Sequence, residues 1–438
     1  MSDTAGAPEY TRAERWSVLF STVLGFLLDF YNILIVSFLL GAIQQSLNIT
    51  QGQAGLVTSV TLFASLFGGI FFGWFGDRIG RKTSLLVTLG LFSVGAILSA
   101  FAWDYASLLV FRAIAGLGLG GEWGAGMVLF NEVWNRNRRG TGSAVIQSAS
   151  LGGLILAVLV SIWALNTFST EWGWRIALLT GGSPILLMVF VRFFMPESRL
   201  WSEYNTLRRT GRLPEEKAHE TLSLIEMFRG AALRYTLLAL LVTAGYMFAF
   251  YAMTTFMPSL MGELGATPGA IQAINILVAA VALPFFILVG YYSDLRGRKW
   301  ATIVPALIGA VGYVAIYLTG QAEYPGAFWT WALFWWYMFW WIGQASACMF
   351  GPWFSELYPV ELRASAVSTI YMIGRGVGTL APPAVSAVAA GFGGNLFLGI
   401  MVGLVGSFTV LVASLMVPET AGRKFAVIES KRREAAHG

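Results

Sequence analysis

Four charged residues stand inside stretches that are otherwise almost wholly apolar: Asp29, Arg112, Glu122 and Arg375. In hydrocarbon each is costly, so such residues usually face a bundle interior or a water-filled cavity and handle ions or substrate. Asp29 and Asn32 are three positions apart and share one face of a helix. If that face lines a cavity, burial disfavours the charged carboxylate and suits Asp29 to taking up and releasing a proton. The competing role is a structural partner for Arg112 or for freed backbone groups. Arg375 is flanked by Gly374, Gly376 and Gly378, which leaves room around a permanently charged fork able to hold a carboxylate bidentately. Its competing role is a tie to Glu122 or Asp29. Arg112 and Glu122 are ten residues apart, nearly three helical turns, and so must find partners elsewhere. Glu122 shares its face with Gly118 and Gly126, and is either a second proton carrier or a protonated group in a tight helix contact. Gln147, Gln344, Tyr246 and Tyr251 add neutral polar groups suited to contacting a small substrate.

A second set of charges lies between the apolar stretches and occurs twice. Gly73-Trp-Phe-Gly-Asp77-Arg-Ile-Gly80-Arg81-Lys82 returns 217 residues later as Gly290-Tyr-Tyr-Ser-Asp294-Leu-Arg-Gly297-Arg298-Lys299. Glu132 and Arg139 return 224 residues later as Glu356 and Arg363, and Pro196-Glu197-Ser198 returns after 222 as Pro418-Glu419-Thr420. Three loops repeating in order at nearly one offset mark a duplicated chain, the layout of two parallel bundles with a site between them. Each repeated Asp stands just past a helix among basic residues, where a carboxylate can cap a neighbouring helix start and bind guanidinium groups. The bland reading, a basic loop that merely resists translocation, does not require an Asp at one fixed spacing in both halves.

The elements that must position these groups are membrane-spanning helices. Of 438 residues, 56% are hydrophobic and 12% charged, and the mean hydropathy is +0.67. A hydrocarbon core about 30 Å thick needs roughly 20 apolar residues per helical crossing, and open strands cannot span it. Twelve stretches qualify: 16–40, 53–74, 84–102, 106–130, 143–166, 174–195, 234–260, 268–291, 301–319, 327–351, 366–389 and 394–417. The fold class is therefore all-α, with an N-terminal six-helix bundle over 1–195, a polar linker over 196–233 and a C-terminal bundle with a short tail over 234–438. The net charge of +5 sits in alternate connections (Arg78, Arg81 and Lys82; Arg136, Arg138 and Arg139; Arg208, Arg209, Arg212 and Lys217; Arg296, Arg298 and Lys299). That is the mark of a cytoplasmic face rather than of nucleic-acid binding, and it places both termini in the cytoplasm. The single cysteine, Cys348, and two histidines, His219 and His437, make no disulfide or Cys/His metal site within the chain, and no cofactor is expected. Arg175 and Arg192 fall near helix ends. Gly116-Leu-Gly118-Leu-Gly120-Gly121 lies mid-membrane and reads as tight helix packing, not as a phosphate loop. The aromatic run Phe328–Trp341 exceeds an interface belt, so part of it could reach a cavity while the rest faces lipid. Asn48-Ile-Thr50 matches a glycosylation acceptor by spacing alone and is assigned no role.

The repeated Gly-x-x-x-Asp-x-x-Gly-Arg-Lys loop resembles the hallmark loop of the Major Facilitator Superfamily, and the resemblance covers essentially the whole chain. Arg112 with Gly116, Gly118, Gly120 and Gly121 resembles its fourth-helix signature. The Glu132/Arg139 and Glu356/Arg363 pairs and the Pro-Glu-Ser and Pro-Glu-Thr ends look like the branch of sugar porters and organic-ion transporters. Gly25-Phe-Leu-Leu-Asp29-Phe-Tyr-Asn32 and Tyr251-Ala-Met-Thr254-Thr255-Phe-Met-Pro258 look more like proton-coupled symporters of lactate, sialate and aromatic acids. Stretch 234–260 lacks the Gln expected of a sugar porter's seventh helix. The resemblance implies symport of a small organic anion with protons, by a monomer in the bacterial inner membrane. It implies that Arg112 takes part in coupling or braces the helix-1 carboxylate, and that the repeated loops form a state-dependent latch. Gly73, Asp77, Gly80, Arg81, Lys82, Glu132 and Arg139 would build one copy, and Gly290, Asp294, Gly297, Arg298, Lys299, Glu356 and Arg363 the other. Sugar symport, drug or metabolite efflux and nutrient sensing stay open as rivals. An embedded enzyme would need a nucleophile with a base, or a metal cluster, at bilayer depth, and the Cys and His content supplies none.

Overall fold

The structure is a computed structural model that describes residues 10–49, 51–211, 224–320, 332–360 and 362–421. His219, His437, Arg212, Lys217, Thr50, residues 328–331 of the aromatic run and the tail beyond residue 421 lie outside the described residues. The first half holds α1 (Arg12–Leu47), α2 (Gln51–Ile79), α3 (Arg81–Ala100), α4 (Tyr105–Val133), α5 (Arg139–Thr167), α6 (Thr170–Thr180) and α7 (Pro184–Phe194). A linker helix α8 (Arg199–Arg209) and a 3₁₀ turn (Leu224–Phe228) precede the second half. That half holds α9 (Gly230–Glu263), α10 (Pro268–Arg296), α11 (Arg298–Gly320), α12 (Ala332–Gly343), α13 (Phe350–Leu357), α14 (Arg363–Gly378), α15 (Ala381–Gly391), α16 (Leu396–Ile400) and α17 (Gly403–Met416).

Helix starts follow local chemistry. Thr11 and Glu14 form a capping box at α1, Asp104 and Ser107 do so at α4, and Ser198 accepts from the Trp201 amide at α8. Large apolar side chains such as Phe63, Phe67, Leu186, Phe193 and Phe408 stay exposed, as a lipid-facing surface requires. Ten elements, counting α6 with α7 and α16 with α17 as one each, have the length and hydropathy to cross a membrane. The sixth and twelfth are interrupted briefly, between α6 and α7 and between α16 and α17, and the other two crossings are broken into pieces too short to qualify. The tenth runs α12, a 3₁₀ stretch Gln344–Met349, then α13, and the eleventh breaks between α14 and α15. The sequence pattern predicted each of these as one apolar stretch, because hydropathy registers composition and not backbone continuity. The linker, predicted only as polar, contains α8.

Small residues set the closest helix approaches. A side chain at Gly120 would collide with the Ser65 carbonyl of α2, and one at Gly118 with the Phe92 backbone of α3, so the fourth-helix glycines pack helices together. The duplication is visible in the backbone. Gly80, between α2 and α3, has φ +120°, and Gly297, between α10 and α11, has φ +100°, a region that favours glycine. Across the two halves α2 and α4 pack on α14, while α5 packs on α10.

Candidate functional site

At the centre, α1 from the first half meets α14 from the second. The Arg375 Nη2 atom lies 3.7 Å from Asp29 Oδ2, with both side chains buried. That is longer than a charge-assisted hydrogen bond of about 2.7–2.9 Å, and neither Asp29 oxygen has a hydrogen-bond partner among the described residues. Arg375 Nε and Nη1 are likewise without a hydrogen bond, while Tyr251 lies beside the guanidinium and the Tyr371 ring centre is 5.9 Å from its carbon. Glu122, from α4, interacts electrostatically with both Asp29 and Arg375, and its carboxyl occupies the space a side chain at Gly25 of α1 would need. Neither Glu122 oxygen has a hydrogen-bond partner among the described residues. Two carboxyl groups therefore face one guanidinium in a site closed to solvent. With all three charged, the cluster would carry an uncompensated buried negative charge, so neutrality calls for one proton on a carboxyl.

Two residues outside the predicted set complete this centre. Trp123 of α4 and Tyr371 of α14 stack with ring centres 3.7 Å apart and planes inclined by 17°, and each is 1% exposed. Trp123 Nε1 donates to Gln147 Oε1 at 3.4 Å. A signal existed: Trp123 follows Glu122 inside the glycine run, and Tyr371 stands one turn before Arg375. Nothing in spacing alone, however, fixes which way a mid-membrane ring turns.

Asn32 and Arg112 lie elsewhere. Arg112 Nη1 donates to Asn32 Oδ1 at 2.8 Å, Nη2 to the Asn32 carbonyl at 3.3 Å and Nε to Thr61 Oγ1 at 3.2 Å, while Asn32 Nδ2 donates to the Gly181 carbonyl at 3.0 Å. The expected pairing of Arg112 with the helix-1 carboxylate is absent. Three residues along a helix turn the side chain about 60° short of a full circle, so Asn32 reaches α4 and α6 within the first half while Asp29 points across to α14. Tyr246 and Gln344 both belong to the second half, with Tyr246 close to Tyr371 and Tyr251. They line a small cavity of about 20 Å³ inside the second half, with Ala306 and Ser407, and the Tyr246 hydroxyl donates to the Gln344 carbonyl at 3.4 Å. That volume holds about one water molecule. Of the aromatic run, Tyr337 and Trp340 stack inside the second half, whereas Trp335 and Phe339 are 55% and 43% exposed toward lipid. Arg175 donates to the Ala100 and Ala102 carbonyls at the end of α3.

The repeated loops form two matching clusters on one face. In the first, Asp77 accepts from the Ala364 and Ser365 amides at the start of α14, at 3.2 and 2.7 Å. Arg81 reaches Asp77 at 3.1 Å and Glu132 at 3.3 Å, and Arg363 reaches Glu132 at 3.2 Å. In the second, Asp294 accepts from the Gly140 and Thr141 amides at the start of α5, at 2.8 and 2.9 Å. Arg298 reaches Asp294 at 3.0 Å and Glu356 at 3.3 Å, and Arg139 lies 3.8 Å from Glu356. Each cluster thus caps a helix of the opposite half, and the arginines expected within each copy change places, Arg363 pairing with Glu132 and Arg139 with Glu356, because each stands at the helix start that is capped. Gly73 and Gly290 permit the approach: a side chain at either would strike α14 or α5 respectively. Glu197 accepts from the Arg81 and Lys82 amides, and Glu419 from those of Arg298 and Lys299. These capping roles were not predicted from the Pro-Glu repeats. Burial pushes the Glu197 carboxyl above the usual range, against the pull of the amides and Arg81.

Two six-helix bundles that meet on buried charges are the layout of a secondary transporter. The chain belongs to the Major Facilitator Superfamily, whose family model matches residues 22–382; it is a multi-pass membrane transporter of small molecules and not an enzyme. It is 25% identical to the sialic acid transporter NanX of Escherichia coli, over 91% of this chain and 94% of that one. It is 27% identical to a cis,cis-muconate transport protein of Acinetobacter baylyi, over 88% and 90%. The solved structure of the proton:xylose symporter XylE bound to 6-bromo-6-deoxy-D-glucose matches the fold with a TM-score of 0.80 at 20% identity, covering 96% of this chain and 100% of that one.

Proposed function

We propose that this chain is a proton-coupled symporter of a small organic anion, working as a monomer in a bacterial inner membrane. One observation carries the reading: a loose, sealed Asp29–Arg375 pair joins the two halves, with further guanidinium donors unused. A substrate carboxylate arriving at Arg375 adds one negative charge. A proton delivered to Asp29 removes one, and the neutral Asp29 releases the guanidinium to bind the substrate bidentately. Anion and proton then cross together because either alone leaves a buried charge uncompensated. Glu122 carries a proton throughout in this scheme, since Asp29 already holds the ion pair. Relatives that carry muconate and sialic acid support an acidic cargo.

Residues 1–195 and 234–438 form the moving halves, joined by 196–233. The basic clusters face the cytoplasm, with both termini on that side, and their paired caps hold that face shut in this state. Rocking of the halves breaks both caps and opens the other route to the site. Arg112 and Asn32 brace the first half rather than touch substrate, because each spends its polar atoms on the other and on α2 and α6. With one proton per monoanion no net charge crosses, so the pH difference supplies the drive, about 1.4 kcal/mol per pH unit.

The test is uptake into proteoliposomes, driven by an inwardly directed proton gradient, of radiolabelled monocarboxylates, aromatic acids, sialate and hexoses. Gradient-dependent uptake of an acid is expected in the wild type. Arg375→Gln should lose it, and Asp29→Asn should retain exchange but not gradient-driven accumulation. Uptake of hexose alone, or unimpaired coupling in both variants, contradicts the proposal.

A further inference from the structure

The stacked pair Trp123 and Tyr371 belongs to opposite halves, α4 and α14. Aromatic pairs prefer offset or edge-on arrangements with centres about 4.5–7 Å apart, yet these lie face to face at 3.7 Å. The backbones impose that closeness. A side chain at Gly124, next to Trp123, would collide with Ser368 of α14, and one at Gly69 of α2 with Met372, so α14 is drawn against α4 and α2 on both sides of the stack. The Gln147 hydrogen bond to Trp123 Nε1 fixes the plane of one wall. Tyr371, the other wall, stands one turn from Arg375 on the same helix, with the guanidinium carbon 5.9 Å from its ring centre.

We infer that Trp123 and Tyr371 are the two walls of a closed slot that opens to admit a flat, conjugated carboxylate, whose ring or diene lies between them while its carboxylate sits on Arg375. The inference rests on the organic-anion reading and specifies its substrate class. A ring on the Tyr371 face presents an edge carboxylate to Arg375 without further rearrangement, because wall and clamp share α14. A flat ligand keeps the halves one ring thickness apart. A puckered saturated ring or a folded alkyl chain holds them farther apart and loses contact with one wall. Selection therefore acts through shape and stacking, with no hydrogen bond to the carbon skeleton required.

The experiment is calorimetric binding to the purified full chain at neutral pH, where every probe acid is ionised. Benzoate is compared with cyclohexanecarboxylate, and hexa-2,4-dienoate with hexanoate, in wild type, Tyr371→Phe and Tyr371→Leu. The flat member of each pair should bind about fivefold or more tightly in the wild type, a ratio that stacking geometry can supply. Tyr371→Phe should keep that ratio and Tyr371→Leu should bring it close to one. Equal binding within each pair, or an undiminished ratio in Tyr371→Leu, overturns the slot while leaving anion binding intact. Binding of none of the four acids overturns the anion reading together with the slot. Should Tyr371→Leu fail to fold, the wild-type ratio and its retention in Tyr371→Phe decide the matter.

Discussion

Arg112 and Arg375 are both arginines buried mid-membrane, yet their surroundings assign them different work. Each nitrogen of Arg112 donates to Asn32 or Thr61 within one half, whereas Arg375 Nε and Nη1 have no hydrogen bond among the described residues at the junction of both. Arg112→Ala strands Asn32 Oδ1 and should cost about 1–3 kcal/mol. A lowered thermal midpoint with an unchanged KM is expected; a raised KM at unchanged midpoint would mark Arg112 as a substrate contact instead. Glu197 makes a different prediction, concerning pH. Burial raises its carboxyl above the ordinary value of 4.5, so ionising it costs folding free energy, a cost absent below the ordinary value and growing as pH rises toward the folded one. Gln keeps the acceptor that caps α3 without the charge. Glu197→Gln should therefore melt no lower than wild type at pH 8, with its relative advantage shrinking toward pH 5, while Glu197→Ala melts lower at both. A Gln variant that loses ground as pH rises would refute this. Residue identities were legible in the sequence here, but partners were not. Asn32 and Asp29 share a face by spacing and still reach opposite halves, because a 60° difference in direction decides the neighbour when helices surround both.

At the scale of elements, the twelve crossings were legible because a bilayer demands a run of apolar residues whatever the packing. The breaks in the tenth and eleventh crossings were not, since Gln344–Met349 changes its hydrogen-bond pattern without changing its hydropathy. The capping partners were half legible. Fixed Asp spacing pointed to a helix start, and only the fold shows that each start belongs to the other half. Such cross-half caps predict cooperation. The 3₁₀ stretch of the tenth crossing carries Cys348, the single cysteine, which is buried and whose carbonyl accepts from Ser143 of α5 at 2.6 Å. Replacing both Asp77 and Asp294 by Ala removes both caps, each worth about 0.5–2 kcal/mol, and should speed maleimide labelling of Cys348 by about tenfold or more. Either single change should give a smaller rise. A double variant that labels at the wild-type rate would show that the caps do not hold this face closed.

For the whole molecule, the repeated loops join the two halves on one face, and a buried charge cluster joins them at the centre. The duplication supplies two equivalent closures, and the central cluster breaks the symmetry, with Asp29 and Glu122 on the first half and Arg375 on the second. The halves are thus tied at the middle by a charge pair, which in the proposed cycle an anion and a proton jointly replace. Titration calorimetry of benzoate binding in buffers of different ionisation enthalpy measures that exchange. Uptake of about one proton per bound anion is expected in the wild type and none in Asp29→Asn. Binding with no dependence on buffer in the wild type, or the same proton uptake in Asp29→Asn, would contradict it.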